Sequence, residues 1–369
     1  GTTVRLPENS RAIVFDPAHR SLQMRELAMR PLRRGEILAR VRLSAICGSD
    51  LHTIRGRRDP GGPLVLGHEI VGEVAALGEG VNADSLGQPM TVGDRITWSI
   101  ATTCGRCFFC ARGIPQKCAR LFKYGHQPLD GDTPLSGGFA EYCYLVPGTA
   151  CYRLPDELPD EIAVFANCSL ATMCAAVRMA DLRPGEAVLV QGAGLVGLCA
   201  MAPSSHHRAH LVVAADPCEE RVKQAPDFGA TQLAGTDWLD GDFVGRLRAI
   251  TGARRGVDVA IEACGAPRVI RDGVEALRIG GRYVLAGCVF PEANVEIDMH
   301  PVTTKLLTLR GLHNYTPLDL QEALRFLVAG RDDYAFDTVV REVFDLADID
   351  AALELMESDR SILRVALSP

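Results

Sequence analysis

The chain has 369 residues, 47% of them hydrophobic and 23% charged, with a net charge of -7. That length predicts two cores rather than one, and the acidic balance offers no basic face to nucleic acid. No stretch approaches the roughly 18 uninterrupted apolar residues of a membrane helix, and neither end shows a charged start, an apolar run and a small-residue cleavage site, so a cytoplasmic protein without membrane or nucleic-acid partners is expected.

From Arg11 to about Arg42 apolar and polar residues alternate in short runs separated by turn residues, as in Ile37-Leu38-Ala39-Arg40-Val41-Arg42-Leu43. The pattern predicts short strands. It is followed by Cys47-Gly48-Ser49-Asp50-Leu51-His52 and, after a basic Gly/Pro-rich connection, by Gly67-His68-Glu69. This stretch collects a thiol, two imidazoles, a hydroxyl and carboxylates, the ingredients of a zinc site that keeps one position open for substrate. Cys47 and His68 are the first candidate ligands, and a third must come from elsewhere. Strand patterning returns at Gly72 to Gly78 and around Val92-Gly93-Asp94-Arg95-Ile96, where Gly-Asp marks a tight turn. The N-terminal part reads as a compact β domain.

Thirteen cysteines are too few for a disulfide scaffold in a chain of this size. Four of them, Cys104, Cys107, Cys110 and Cys118, are separated by two, two and seven residues. Thiols so spaced can close around one ion and leave no position for substrate, which predicts a structural zinc. After Leu158-Pro159-Asp160 the composition turns to Ala-rich helical sequence around Ala163 to Met179, containing Asn167-Cys168-Ser169-Leu170-Ala171-Thr172.

Next, Ala187 to Gln191 is an apolar run of strand length that leads into Gly192-Ala193-Gly194-Leu195-Val196-Gly197 and a helix-forming segment. Strand, glycine turn and helix together are the context that makes this motif a dinucleotide site: the backbone approaches a pyrophosphate, met by unpaired amides and the helix dipole. A second strand, Leu211 to Ala215, ends at Asp216, 24 residues after Gly192. A carboxylate there accepts ribose hydroxyls and repels an added phosphate, so NAD is the expected cofactor. Strand and helix then alternate through Val257-Glu262, Val269-Leu277 and Gly281-Gly287, implying a parallel sheet with crossover helices. Strand-like Leu306 to Gly311, helices at about Leu318 to Ala329 and Ile349 to Glu357, and a strand at Leu363 to Leu367 complete the chain.

With these four motifs in this order, the chain resembles the zinc-dependent medium-chain alcohol dehydrogenases over nearly its whole length. The resemblance implies an α/β protein with a GroES-like β-rich catalytic domain (residues 1–168) holding both zincs, a Rossmann domain with a doubly wound parallel sheet (169–312) binding NAD, and a last segment (313–369) returning to the first domain. It implies Cys168 as third ligand of the catalytic zinc, where relatives with polyol substrates carry a glutamate nearby, and Glu69 as a carboxylate able to join the metal. Ser49 matches the hydroxyl that takes the alcohol proton, His52 the imidazole that passes it on, and Asp50 the carboxylate that orients a ligating imidazole. Thr172, Arg221 and Arg364 match cofactor-contacting positions. A small alcohol or carbonyl substrate and a homodimer or homotetramer follow, with a polyol dehydrogenase or a non-catalytic zinc- and nucleotide-binding protein as the alternatives.

Several loops, including Leu121 to His126, Leu135 to Glu141 and Leu309 to Tyr315, look like a subgroup of dehydrogenases associated with phosphonate catabolism. Arg55, Arg57 and Arg58 follow His52 closely, and with Lys123 and His313 they are candidate substrate contacts, since guanidinium groups bind a phosphonate dianion well. Pro203 and Pro226 depart from helical pattern. A proline inside a helix costs about 3 kcal/mol, so kinks or early ends are expected at both.

Overall fold

The computed structural model describes residues 6–130, 132–291 and 293–369. The chain divides into two compact units: one runs up to Cys168 and also takes Thr316–Val328 and Asp337–Pro369, and the other comprises Ser169–Tyr315 and Ala329–Phe336.

The first unit opens with β1 (Asn9–Asp16), β2 (Ser21–Ala28), β3 (Ile37–Ala45), the short helix α1 (Gly48–Ile54), β4 (Leu64–Val65), β5 (Glu69–Leu77) and β6 (Arg95–Trp98). β7 (Ala101–Thr102), β8 (Phe122–Lys123), β9 (Tyr142–Leu145), β10 (Cys151–Arg153) and α2 (Asp160–Ala163) follow. The second unit contains α3 (Ala171–Met179), β11 (Ala187–Gln191), α4 (Leu195–His206), β12 (Leu211–Ala215), β13 (Gln232–Ala234), β14 (Val257–Glu262), β15 (Leu277–Leu285) and β16 (Thr308–Gly311). β17 (Val340–Asp345) and β18 (Arg364–Ser368) return to the first unit.

In β3 the predicted alternation is visible as burial: Val41 and Leu43 face inward, while Arg40 and Arg42 face outward and pair with Glu73 and Asp160. β3 is the spine of a seven-stranded sheet ordered β10-β6-β5-β3-β18-β17, with β9 also pairing to β3. A second sheet, β2-β1-β4, completes the layer, and Phe15, Leu38, Leu66, Phe139 and Val365 lie in the fully buried core. Both strands that end next to the donor residues, β3 before Cys47 and β5 starting at Glu69, are thus held by a continuous ladder.

In the second unit, β13-β12-β11-β14-β15-β16 form a six-stranded sheet with every neighbour parallel. That order, reversing beside β11, is the doubly wound dinucleotide-binding arrangement. Its central strands β11 and β14 are buried at every position, as strands covered on both faces are. Gly192 has φ +108° and Gly197 sits against the Gly192 carbonyl; a side chain at either would strike Cys264 or that carbonyl. Contrary to the expected early end, α4 runs past Pro203 to His206, where Arg208 at φ +62° supplies the left-handed residue that a glycine usually provides. Before Pro226 the helix does end early: Glu219–Val222 is a single turn, and Pro226 lies in a separate 3-10 turn, Ala225–Phe228.

Among the described residues one helical run, Asp160–Met179, is long and apolar enough to cross a membrane by length and composition. Of its most apolar window 78% is buried inside the protein, so its apolarity is accounted for as core.

Candidate active site

Cys47 caps the start of α1. Asp50, three residues on, reaches back to accept the Cys47 amide at 2.9 Å, and its other oxygen accepts the Gly67 amide at 3.3 Å. The same oxygen lies 3.4 Å from His68 Nδ1. One buried carboxylate therefore ties the helix start to the loop carrying the imidazole and orients the ring, as outer carboxylates do at metal centres. Ser49 Oγ sits 3.2 Å from His68 Nε2.

Cys168 arrives in a π-helical turn, Ala166–Leu170, between α2 and α3. Such turns recur at functional sites. Its neighbour Asn167 donates from Nδ2 to the carbonyls of His68 (3.0 Å) and Trp98 (2.9 Å), while Oδ1 accepts the Ile70 amide at 3.3 Å. Asn167 thus pins the turn carrying one donor to the loop carrying another. The sequence reading quoted this residue without giving it a role, and nothing local signals one.

Cys47, His68 and Cys168 bring their ligand atoms within 4.8 Å of one another. Two sulfurs and a nitrogen at this separation suit zinc with one open position. The charges agree. A hydrogen bond from the Cys168 thiol, helped by Arg364 and His68, holds the Cys47 thiol well below its usual value, while Cys168 is pushed up, so the pair shares one proton. Burial alone would lower the His68 imidazole; Asp50 and Cys47 outweigh it and carry it up to about 10. A metal ion would displace that proton.

Glu69 is not brought into this donor group. Both its oxygens accept from Arg364, at 2.6 and 3.0 Å, and Arg364 Nη2 also lies 3.5 Å from Cys47 Sγ. A buried carboxylate is better satisfied by a guanidinium fork than by a site already carrying two thiols. Arg364, anticipated at the cofactor, is held here with Glu69 behind the donors.

The four-cysteine lobe closes as its spacing suggests. The four sulfurs lie within 4.8 Å of one another, all as free thiols. Amides of Cys110 and Ala119 bring Cys107 down to about 6, and those of Cys104 and Arg120 donate to Cys118 Sγ. Backbone donors toward sulfur are what a thiolate cluster around zinc requires.

On α1, Ser49 and His52 are three residues apart and share a face. His52 is lowered from its usual value, first by burial and then by Arg57 and Arg55, and Arg57 Nη1 donates to its Nδ1 at 3.3 Å. In the second unit, the Asp216 carboxylate accepts the amides of Ala193 in the glycine turn and of Cys218, both at 2.8 Å. Arg221 reaches 4.0 Å from the position of a side chain at Gly194. Leu195 is buried, and Val196 and Thr172 are partly exposed.

The candidate substrate residues separate. Arg55 pairs with Glu357 at 2.7 Å on the surface, Arg57 serves His52, and His313 belongs to the second unit. Arg58 and Lys123 are half-buried, and each interacts electrostatically with the Cys47 thiol. Gly125, at φ +70°, lets the turn after β8 press on Gly67 and His68, a contact any side chain would block. Through it His126, unassigned from sequence, packs its ring 5.2 Å from that of His68. Burial, and the charges of Lys123, His68 and Arg58, keep His126 neutral.

Residues 33–156 match the family model for an alcohol dehydrogenase GroES-like domain, and residues 196–329 that for a zinc-binding dehydrogenase. The L-threonine 3-dehydrogenase of Idiomarina loihiensis is 32% identical over 284 residues, 75% of this chain and 76% of that protein. The crystal structure of an alcohol dehydrogenase from Thermotoga maritima superposes with a TM-score of 0.89 at 26% identity, covering 98% of this chain and 99% of that one. An alcohol dehydrogenase from Escherichia coli CFT073, complexed with NADH, superposes at 0.83 with 26% identity over 98% and 100% of the two chains.

Proposed function

We propose a reaction for a chain that belongs to the zinc-dependent medium-chain alcohol dehydrogenase family, and is therefore an oxidoreductase: oxidation of a polar alcohol by NAD at Cys47, His68 and Cys168. The observation that carries the reading is the meeting of those three donors within 4.8 Å, with the Ser49 hydroxyl at the imidazole.

A zinc ion held by this set supplies a Lewis acid that makes a substrate hydroxyl far more acidic. NAD, when bound, supplies the hydride acceptor. The rest is done by the chain. Ser49 Oγ accepts the hydroxyl proton and hands it to His52, which burial and the adjacent guanidiniums keep neutral and able to receive it. Because Arg57 donates to His52 Nδ1, the neutral ring carries its proton on Nε2 and must release Arg57 to take a second. Asp50 fixes the His68 ring throughout. Amides of the Gly192–Gly197 turn hold the pyrophosphate, and Arg221 approaches from the side.

Preference for NAD is supported by Asp216. Its two amide contacts leave lone pairs for ribose hydroxyls, and its charge opposes a phosphate on the same ribose. The test is absorbance of reduced nicotinamide with a panel of small alcohols and polyols, using NAD and NADP in parallel. NAD is expected to be preferred, and Asp216→Gly to weaken NAD and relieve the rejection of NADP. Equal rates with both cofactors in the native chain, or unchanged kinetics in the variant, would contradict the assignment.

A further inference from the structure

Glu262 is the last residue of β14 and is fully buried. Burying a carboxylate is costly unless donors surround it, and here they come from two separate turns. Oε1 accepts the amides of Cys264 at 2.9 Å and Gly265 at 2.6 Å, just after β14. Oε2 accepts those of Gly287 at 2.8 Å and Cys288 at 3.1 Å, just after β15. The thiols of the same two cysteines also interact with it. A carboxylate offers about four lone-pair sites, and four amides occupy them. Cys264, Gly265 and Cys288 lie beyond the ends of their strands, where the ladder supplies no partner, and the side chain of Glu262 takes its place.

The two turns touch each other and the glycine turn. A side chain at Gly287 would strike the Gly265 nitrogen and Glu262 Oε1, one at Gly265 (φ +70°) would come 2.8 Å from the Gly287 carbonyl oxygen, and one at Gly192 would come 2.8 Å from Cys264 Cβ. Turns after β11, β14 and β15 therefore meet over one carboxylate. Strand order then says which part of a dinucleotide they serve. The order reverses at β11, and the ligand lies across the carboxyl ends of the strands there with its pyrophosphate at the glycine turn. Asp216 follows β12, on one side of β11, and claims the adenosine ribose. The nicotinamide half is left the ends of β14 and β15, on the other side.

We propose that Glu262 is a positioning residue for the nicotinamide half of NAD. It acts through the backbone: by gathering four amides it fixes the two turns on which that half rests, while the adenosine half depends on β12 and the glycine turn. This deepens the dehydrogenase reading and rests on it for the identity of the cofactor.

The test compares NADH, titrated by its fluorescence, with ADP, titrated by calorimetry, on the zinc-loaded full chain. Glu262→Gln keeps the size of the side chain but turns one acceptor into a donor facing two amide hydrogens. NADH is expected to bind this variant about tenfold more weakly, the loss of a charge-assisted hydrogen bond, while ADP holds within about twofold. Gly287→Ala leaves the carboxylate in place and wedges a methyl group between it and Gly265, so it probes the same arrangement independently and is expected to show the same split. A general loosening of this unit would weaken both ligands together. Equal losses for NADH and ADP, or NADH binding unchanged in the variants, would overturn the positioning role and leave the cofactor assignment standing. A native chain that binds neither ligand would overturn the cofactor assignment, and the positioning role with it.

Discussion

His52 and Arg57 illustrate how far single residues could be read. The family resemblance nominates Ser49 and His52 as a relay, but not the guanidinium that caps the His52 Nδ1. Arg57 lowers the imidazole's proton affinity by charge and competes for the nitrogen that must accept. Since the relay works only when deprotonated, the acidic limb of kcat/KM lies below the ordinary histidine value, and removing a positive neighbour raises it. Arg57→Gln is accordingly expected to move that limb to higher pH by less than about one unit, measured in a pH–rate series; a limb that moves down, or stays in place, would remove Arg57 from the relay. Cys47 and His68 were legible because their side chains are chemically committed and close in sequence, whereas Cys168, one of thirteen cysteines, was placed only by the family resemblance. Asn167 and His126 were not, because an amide and a buried ring acquire their roles only when distant backbone arrives against them.

Among the elements, strands were read most faithfully. Ala187–Gln191, Leu211–Ala215 and Val257–Glu262 appear as drawn from sequence, since a parallel strand covered on both faces is rich in buried apolar residues. The π turn at Cys168 was invisible: its sequence is ordinary helix, and Asn167 within it bonds to backbone groups of Ile70 in β5, Trp98 in β6 and His68 on the loop before β5. Pro203 does not end its helix early. A buried helix tolerates it because packing outweighs one lost hydrogen bond, and Ser204 Oγ meanwhile donates to the Ala200 carbonyl at 2.7 Å.

The entry to β3 depends on Glu36, which accepts from Arg30 at 2.7 and 2.8 Å and from the Arg33 amide at 2.8 Å. Burial would raise its carboxyl, but these donors prevail and hold it below the usual value. A depressed folded value means that the stabilisation is complete above the unfolded carboxylate range and fades as pH falls through the folded one. Glu36→Gln should therefore cost about 2 kcal/mol at neutral pH and progressively less in acid. Denaturant unfolding at several pH values checks this, and a deficit independent of pH would refute the electrostatic account.

For the molecule as a whole, two sheets of different construction carry two kinds of chemistry. The first unit gathers seven donor side chains into two metal groups, one with every position taken by sulfur and one with three donors only. The second orders its strands so that the glycine turn and Asp216 meet beside β11. Motif order along the chain, through the family it resembles, was enough to anticipate this architecture. Metal analysis of the purified chain beside Cys168→Ala tests the central claim most directly. Two zinc ions per native chain, falling to one in the variant with the four-cysteine ion retained, is the predicted result. A single zinc in the native chain, or the same content in both proteins, would contradict it.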